Sequence, residues 1–136
     1  MKKLISLFLV ILMVSMFVVP SSAAVIPDET VMPCWNNIST VTVEVCFPNG
    51  NGTATVDVSR VYGVTTSIAG TLTLYKLVNG EWIYMDSTSG SSTRALCLEL
   101  YFDAVSGVTY KAVADITAYS NTEVETESLS DIETCP

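Results

Sequence analysis

The sequence predicts an all-β domain of about seven antiparallel strands, packed as two sheets face to face. Three observations predict it. Apolar residues recur at every second position through most of the chain after Thr40. Clusters of Asn, Gly, Pro and Ser interrupt that pattern roughly every ten residues. No long segment carries apolar residues at helical spacing.

The first strand is expected over Thr40–Phe47, with Val41, Val43 and Val45 on one face and Thr42, Glu44 and Cys46 on the other. Pro48-Asn49-Gly50-Asn51-Gly52 follows as a turn, because Asn and Gly tolerate positive φ. The return strand is Thr53–Val61, with Ala54, Val56 and Val58 inward. Gly63–Gly70 reads as a connection, and Thr71–Val78 as the third strand. Asn79-Gly80 is a second hairpin turn, leading into Glu81–Asp86. Ser87–Thr93 reads as a Ser/Gly-rich loop. In the fifth strand Leu96, Leu98, Leu100 and Phe102 alternate with Cys97, Glu99 and Tyr101. The sixth, Val108–Tyr119, turns Tyr110, Ala112, Ala114 and Ile116 inward, and a charged seventh covers Glu123–Ile132. Strands apolar on one face only fit an immunoglobulin- or fibronectin-like β-sandwich. A closed barrel is the alternative with the same pattern. Tyr110, shortly after Gly107, stands where such a sandwich carries a tyrosine corner.

The N-terminus reads as a secretory leader over residues 1–24. Lys2 and Lys3 supply positive charge, Leu4–Val19 is almost wholly apolar, and Pro20-Ser21-Ser22-Ala23-Ala24 offers small residues for cleavage after Ala24 or Ala23. The apolar run is shorter than the ~20 residues of a membrane span, so the expectation is removal of the leader and no stable membrane insertion afterwards. Residues 25–136 are then a single exported domain, secreted or held at the cell surface. Its basic residues are Arg60, Lys76, Arg94 and Lys111, four against all fourteen acidic residues, hence a formal charge of −10. Nucleic acid is a poor partner for such a chain.

Four cysteines, Cys34, Cys46, Cys97 and Cys135, in an exported small domain read as two disulfides. Their wide spacing argues against a four-thiolate zinc site. If hairpin-linked strands alternate in direction, the first and seventh run the same way. Cys46 and Cys135 then share one end, and Cys34 and Cys97 lie toward the other. That favours Cys46–Cys135 with Cys34–Cys97, ahead of Cys34–Cys135 with Cys46–Cys97.

Several segments together resemble small uncharacterised exported proteins of Firmicutes. They are Asn36–Val41, Gly52–Val56, Gly70–Lys76, Trp82, and Gly107–Tyr119 with its Tyr-Lys-Ala-Val-Ala-Asp-Ile-Thr-Ala-Tyr run. The resemblance spans most of the chain after the leader. It implies an immunoglobulin-like sandwich and export, and it brings no activity or functional residues with it.

Catalysis is not expected. The chain has no His, which removes Ser-His and Cys-His nucleophile pairs and every His-ligated metal site. Glu44, Asp57, Glu99 and Asp115 fall in outward registers, as solvated sheet faces require, rather than as a glycosidase pair. Lys76 and Lys111 have no Ser at an activating spacing. Glu123, Glu125 and Glu127 alternate near Asp131 and Glu133, a pattern of edge protection more than of a calcium loop. No cofactor is expected. Trp82 and Tyr84 share a face of their strand. Either Trp82 packs inward as a core residue, or Tyr75, Trp82 and Tyr84 form an exposed aromatic platform able to stack on a sugar or anchor a protein. The expected function is a secreted, non-catalytic binding or adhesion module for a protein or glycan. The alternative is a small secreted effector, such as a toxin, bacteriocin or protease inhibitor, presenting Val61–Ala69 or Ser87–Thr93 as a protruding loop.

Overall fold

The computed structural model describes residues 35–136. The expected leader, the start of the mature chain and Cys34 lie outside the described residues. Seven strands are present: β1 (Ile38–Cys46), β2 (Asn51–Arg60), β3 (Thr65–Val78), β4 (Glu81–Ser92), β5 (Ala95–Asp103), β6 (Thr109–Ser120) and β7 (Val124–Thr134). Among the described residues, helix is confined to a short 3-10 turn, Pro48–Gly50. One sheet has the order β1-β2-β5 and the other β4-β3-β6-β7, with every pairing antiparallel.

The two hairpin turns form where Asn-Gly pairs were read. Asn49 and Gly50 have φ of 54° and 82°, and Asn79 and Gly80 have 52° and 83°. Two successive positive-φ residues match the twist of the flanking strands, so Asn-Gly is the pair that fits.

Two elements are longer than their sequence suggests. β3 starts at Thr65 rather than Thr71, and β4 continues through the Ser/Gly-rich stretch to Ser92. The added halves pair with each other, Ile68 opposite Ser92 and Gly70 opposite Gly90. The glycines there are packing sites rather than strand breaks. A Cβ on Gly70 would stand 2.7 Å from Ile116 Cδ1 and 2.9 Å from Leu96 Cδ2, and one on Gly90 would stand 2.9 Å from Leu98 Cδ2. The inner leucines of β5 fill the room that these glycines leave. Ser87–Ser92 is therefore strand, and only residues 61–64 of the other proposed loop are outside one.

Between the sheets lies one apolar core. Ala54, Val56 and Val58 of β2 and Leu96, Leu98 and Leu100 of β5 face Ile68, Leu72 and Leu74 of β3 and Ala112, Ala114, Ile116 and Ala118 of β6. Tyr110 is buried in the same cluster, with its ring against Phe47 and Phe102 at centroid distances of 5.8 and 4.8 Å. Its hydroxyl accepts the Val105 N–H at 2.9 Å, across the β5–β6 connection. The tryptophan that packs against the core is Trp35.

The acidic strand β7 has a structural task. Glu125 accepts the backbone N–H groups of Asn36 (3.1 Å) and Asn37 (2.8 Å), and Asp131 accepts that of Val45 at 2.8 Å. Val45 donates from the free edge of β1, and Asn36 and Asn37 from the two residues leading into it. Carboxylates from the edge of one sheet thus satisfy donors at the edge of the other, and the numbering shows that β1 and β7 run in the same direction. Asn37 is 1% exposed.

Among the described residues, Cys46, Cys97 and Cys135 are not bridged to one another. Cys46 and Cys135 do lie toward the same pole, as the strand directions require. But Cys46 falls in the outward register of β1, while Cys135 belongs to the core cluster. Cys46 and Cys97 both face outward on the three-stranded sheet with β2 between them. Cys46 is level with Tyr101, four residues beyond Cys97. Standard strand spacing and rise place them about 16 Å apart, far beyond the ~7 Å that a bridge spans. That excludes the second connectivity.

Candidate functional site

Tyr75, Trp82 and Tyr84 come together on the outer face of the four-stranded sheet. Tyr75 of β3 pairs directly with Tyr84 of β4, and Leu77 pairs with Trp82. A register shift between Leu74 and Tyr75 makes this possible. It turns Met85 onto the core and leaves Tyr84 on the outside. The Tyr75 and Tyr84 rings meet edge to face, 6.3 Å apart at 81°. Tyr84 is 56% exposed and Trp82 is half-buried. Trp82 is thus not the core tryptophan, and of the two orientations open to it the outward one is observed.

A fourth residue completes the cluster. Lys111 of β6 lies opposite Tyr75, and its ammonium sits 4.4 Å from the Trp82 ring centroid and 5.2 Å from that of Tyr75. Aromatic faces attract cations, and each such contact contributes ~0.5–1 kcal/mol at an exposed site. The register neighbours of Lys111 are Tyr75 and Ile132, neither of them acidic. Alternation along β6 shows in the sequence that Lys111 points outward. That it meets the aromatics follows only from β6 lying beside β3, which sequence spacing does not disclose.

Beyond this aromatic row the same face carries short side chains. Reading across β4, β3, β6 and β7, the next row is Ser87, Thr73, Val113 and Ser130. After it comes Ser89, Thr71, Asp115 and Ser128. Thr71 and Ser89 share a hydrogen bond of 2.8 Å, and Ser128 donates to Asp115 at 2.7 Å. The result is a surface rich in hydroxyl groups that borders the aromatic cluster.

The outer face of the three-stranded sheet is different. Glu44, Asp57 and Glu99 stand exposed on it. The Cys97 thiol is pushed above its ordinary pKa, first by its hydrogen bond to Asp57, then by partial burial and by the charges of Asp57 and Glu99. The Tyr101 hydroxyl is raised chiefly by its hydrogen bond to Glu99. These acids do not flank a cleft. The notch at the end of β2 and β5, about 380 Å³ and lined by Asn51, Gly52, Tyr101, Phe102 and Asp103, is open to solvent. Its floor is the Phe102 ring, which occupies the space where Gly52 has no Cβ. Among the described residues, no group of three His, Cys, Asp or Glu side chains is placed to hold a metal ion, and no helix is long and apolar enough to cross a membrane.

Comparison with known protein families finds no match, and comparison with curated proteins finds none. Among solved structures the fold is similar to Spo0M, the sporulation control protein of Bacillus subtilis, at 15% sequence identity and a TM-score of 0.40. The match covers 74% of this chain and 49% of that one, so this chain spans about half the length of its structural neighbour.

Proposed function

We propose that the chain is an exported, non-catalytic binding module of the immunoglobulin–fibronectin class, and that it meets its ligand on the outer face of the four-stranded sheet. The observation that carries this reading is the gathering of Tyr75, Trp82, Tyr84 and Lys111 at one end of that face. Exposed aromatic rings bring large contact area at a small loss of conformational freedom, which is why binding surfaces favour them. Support for the fold class comes from the fourth strand, which joins the second sheet in the fibronectin manner, and from the hydroxyl of Tyr110 bonding back to Val105. Support for export comes from the leader-like residues 1–24.

The test uses a Trp35→Phe background, where Trp82 reports alone. Its emission is quenched by acrylamide, and the quenching is relieved by ligand captured from culture medium or from a glycan array. Trp82→Ala abolishes that binding while far-ultraviolet circular dichroism stays unchanged. Unaltered binding by the folded Trp82→Ala variant overturns the reading. The effector alternative draws less support, because Ser87–Ser92 is a paired strand and a protruding inhibitory loop is needed.

Export also gives the exposed Cys97 a reason to be paired, and Cys34–Cys97 is the bridge that belongs to this proposal. Peptide mapping without reduction yields a linked Cys34–Cys97 peptide. Recovery of both peptides alkylated and unlinked rejects the bridge.

A further inference from the structure

We propose that the ligand of this face is an acidic polysaccharide, seated with a carboxylate-bearing sugar on the Tyr84 ring beside Trp82 and its carboxylate on Lys111. The inference rests on the binding-face reading above and gives it a chemistry. Three features carry it.

The first is the charge of the face within its molecule. The chain is strongly acidic after the leader, and the opposite sheet presents Glu44, Asp57 and Glu99 outward. The four-stranded face presents Asp115, whose carboxylate already accepts from Ser128, and Lys111, whose register neighbours are Tyr75 and Ile132. An anionic group approaching Lys111 therefore meets a cation with no acidic neighbour in register. Asp115 is four residues along β6, ~13 Å by strand rise. The carboxylates of the other sheet lie beyond the ~10 Å that separates packed sheets. Both exceed the ~8 Å screening length at physiological salt, so local attraction to Lys111 prevails over repulsion from those acids. Of the nearer acids, Asp86 turns its carboxylate back onto the Ser87 N–H at 2.8 Å and Asp131 accepts the Val45 N–H at 2.8 Å, while Glu81 and Glu133 fall in the register opposite to Trp82 and Lys111.

The second feature is how Lys111 is held. Its ammonium rests on the Trp82 and Tyr75 rings, which fixes a flexible side chain in place before any ligand arrives and reduces the ordering that binding requires. The ring left open beside it is Tyr84. A sugar offers what this corner lacks: a C–H face to stack on the ring and, in a uronate, a carboxylate at its rim.

The third is the surface that continues from the corner. From Tyr75 to Ala69, β3 extends ~20 Å by strand rise, through rows bearing Thr73, Ser87, Thr71 and Ser89. Short hydroxyl side chains give an extended chain of sugar rings room to lie along the strands, with donors and acceptors for its own hydroxyls. A folded protein partner would find few apolar anchors there.

The experiment compares binding of the purified chain to polygalacturonate and alginate with binding to neutral xylan and amylose, at low and at physiological salt. The expected result is binding to the acidic polymers that weakens with salt. Lys111→Ala weakens it about tenfold or more, as loss of a charge-assisted bond does, and Lys111→Arg keeps it. Asp57→Asn, on the opposite face, leaves it within a factor of about two. Thermal melting confirms that each variant is folded. Equal binding of neutral and acidic polymers, or binding insensitive to Lys111→Ala, overturns the proposal. So does failure to bind any of the four. Capture of a protein, lost in Trp82→Ala, would then preserve the binding face and reject the acidic sugar.

Discussion

At Gly70 the absent side chain is filled from two directions, by Ile116 of the neighbouring strand and by Leu96 of the facing sheet. Gly70→Ala forces both to shift and destabilises the fold by about 1–3 kcal/mol. A urea midpoint equal to that of the parent protein would show that the core absorbs the methyl group without strain. The residue was read as the end of a connection because glycine in a strand pattern has two meanings, a break or a close approach. Only the facing sheet, which the sequence does not display, distinguishes them. Cys97 makes a second prediction. Its thiol donates to Asp57, and that bond favours the protonated form, so the thiolate that reacts forms only at raised pH. In the reduced protein, alkylation of Cys97 is slow at neutral pH and still accelerating beyond the usual thiol range. Asp57→Asn moves the rate profile to lower pH. An unmoved profile would mean that Asp57 does not govern the thiol.

Among the elements, β1 and β7 depend on each other most directly. β1 pairs with β2 on one side; on the other, its Val45 donates to Asp131, and Asn36 and Asn37 just before it donate to Glu125. Asp131→Ala leaves the Val45 N–H without a partner at a half-closed edge. The expected loss is about 1–3 kcal/mol, with faster hydrogen exchange at Val45 than at the hairpin amides of β2. Equal exchange before and after the change would show water substituting fully. Strand content was legible from alternation nearly throughout, and the inward residues of β2, β5 and β6 are the ones read as inward. The acids of β7 show where legibility stops. Their alternate spacing was plain, and it suits both edge protection and edge-to-edge bonding. The choice depends on what lies across the gap. β4 was under-read for a related reason: Ser and Gly have low strand preference, and pairing with β3 overrides it.

For the molecule as a whole, the class of architecture followed from period and punctuation, while strand order came only with the structure. The candidate site divides in the same way. Tyr75, Trp82 and Tyr84 were visible as residues able to share a face, because Asn79-Gly80 brings their strands together. Lys111 and the hydroxyl rows were not, since β6 reaches β3 from far along the chain. The cysteines divide likewise: an even count suggests pairing without naming partners, and only the structure shows that Cys46 and Cys97 face outward on one sheet while Cys135 joins the core.

The parallel course of β1 and β7 has a mechanical outcome. The described chain enters at one pole and leaves at the opposite one, so tension applied between Trp35 and Pro136 draws the first and last strands lengthwise past each other. Under that geometry the three hydrogen bonds to the Glu125 and Asp131 carboxylates and the β1–β2 ladder carry load side by side and must yield nearly together, rather than unzipping one rung at a time. A domain strung this way resists stretching in proportion to the number of bonds loaded at once. Glu125 and Asp131, modest contributors at rest, become the rivets of the fold under pull.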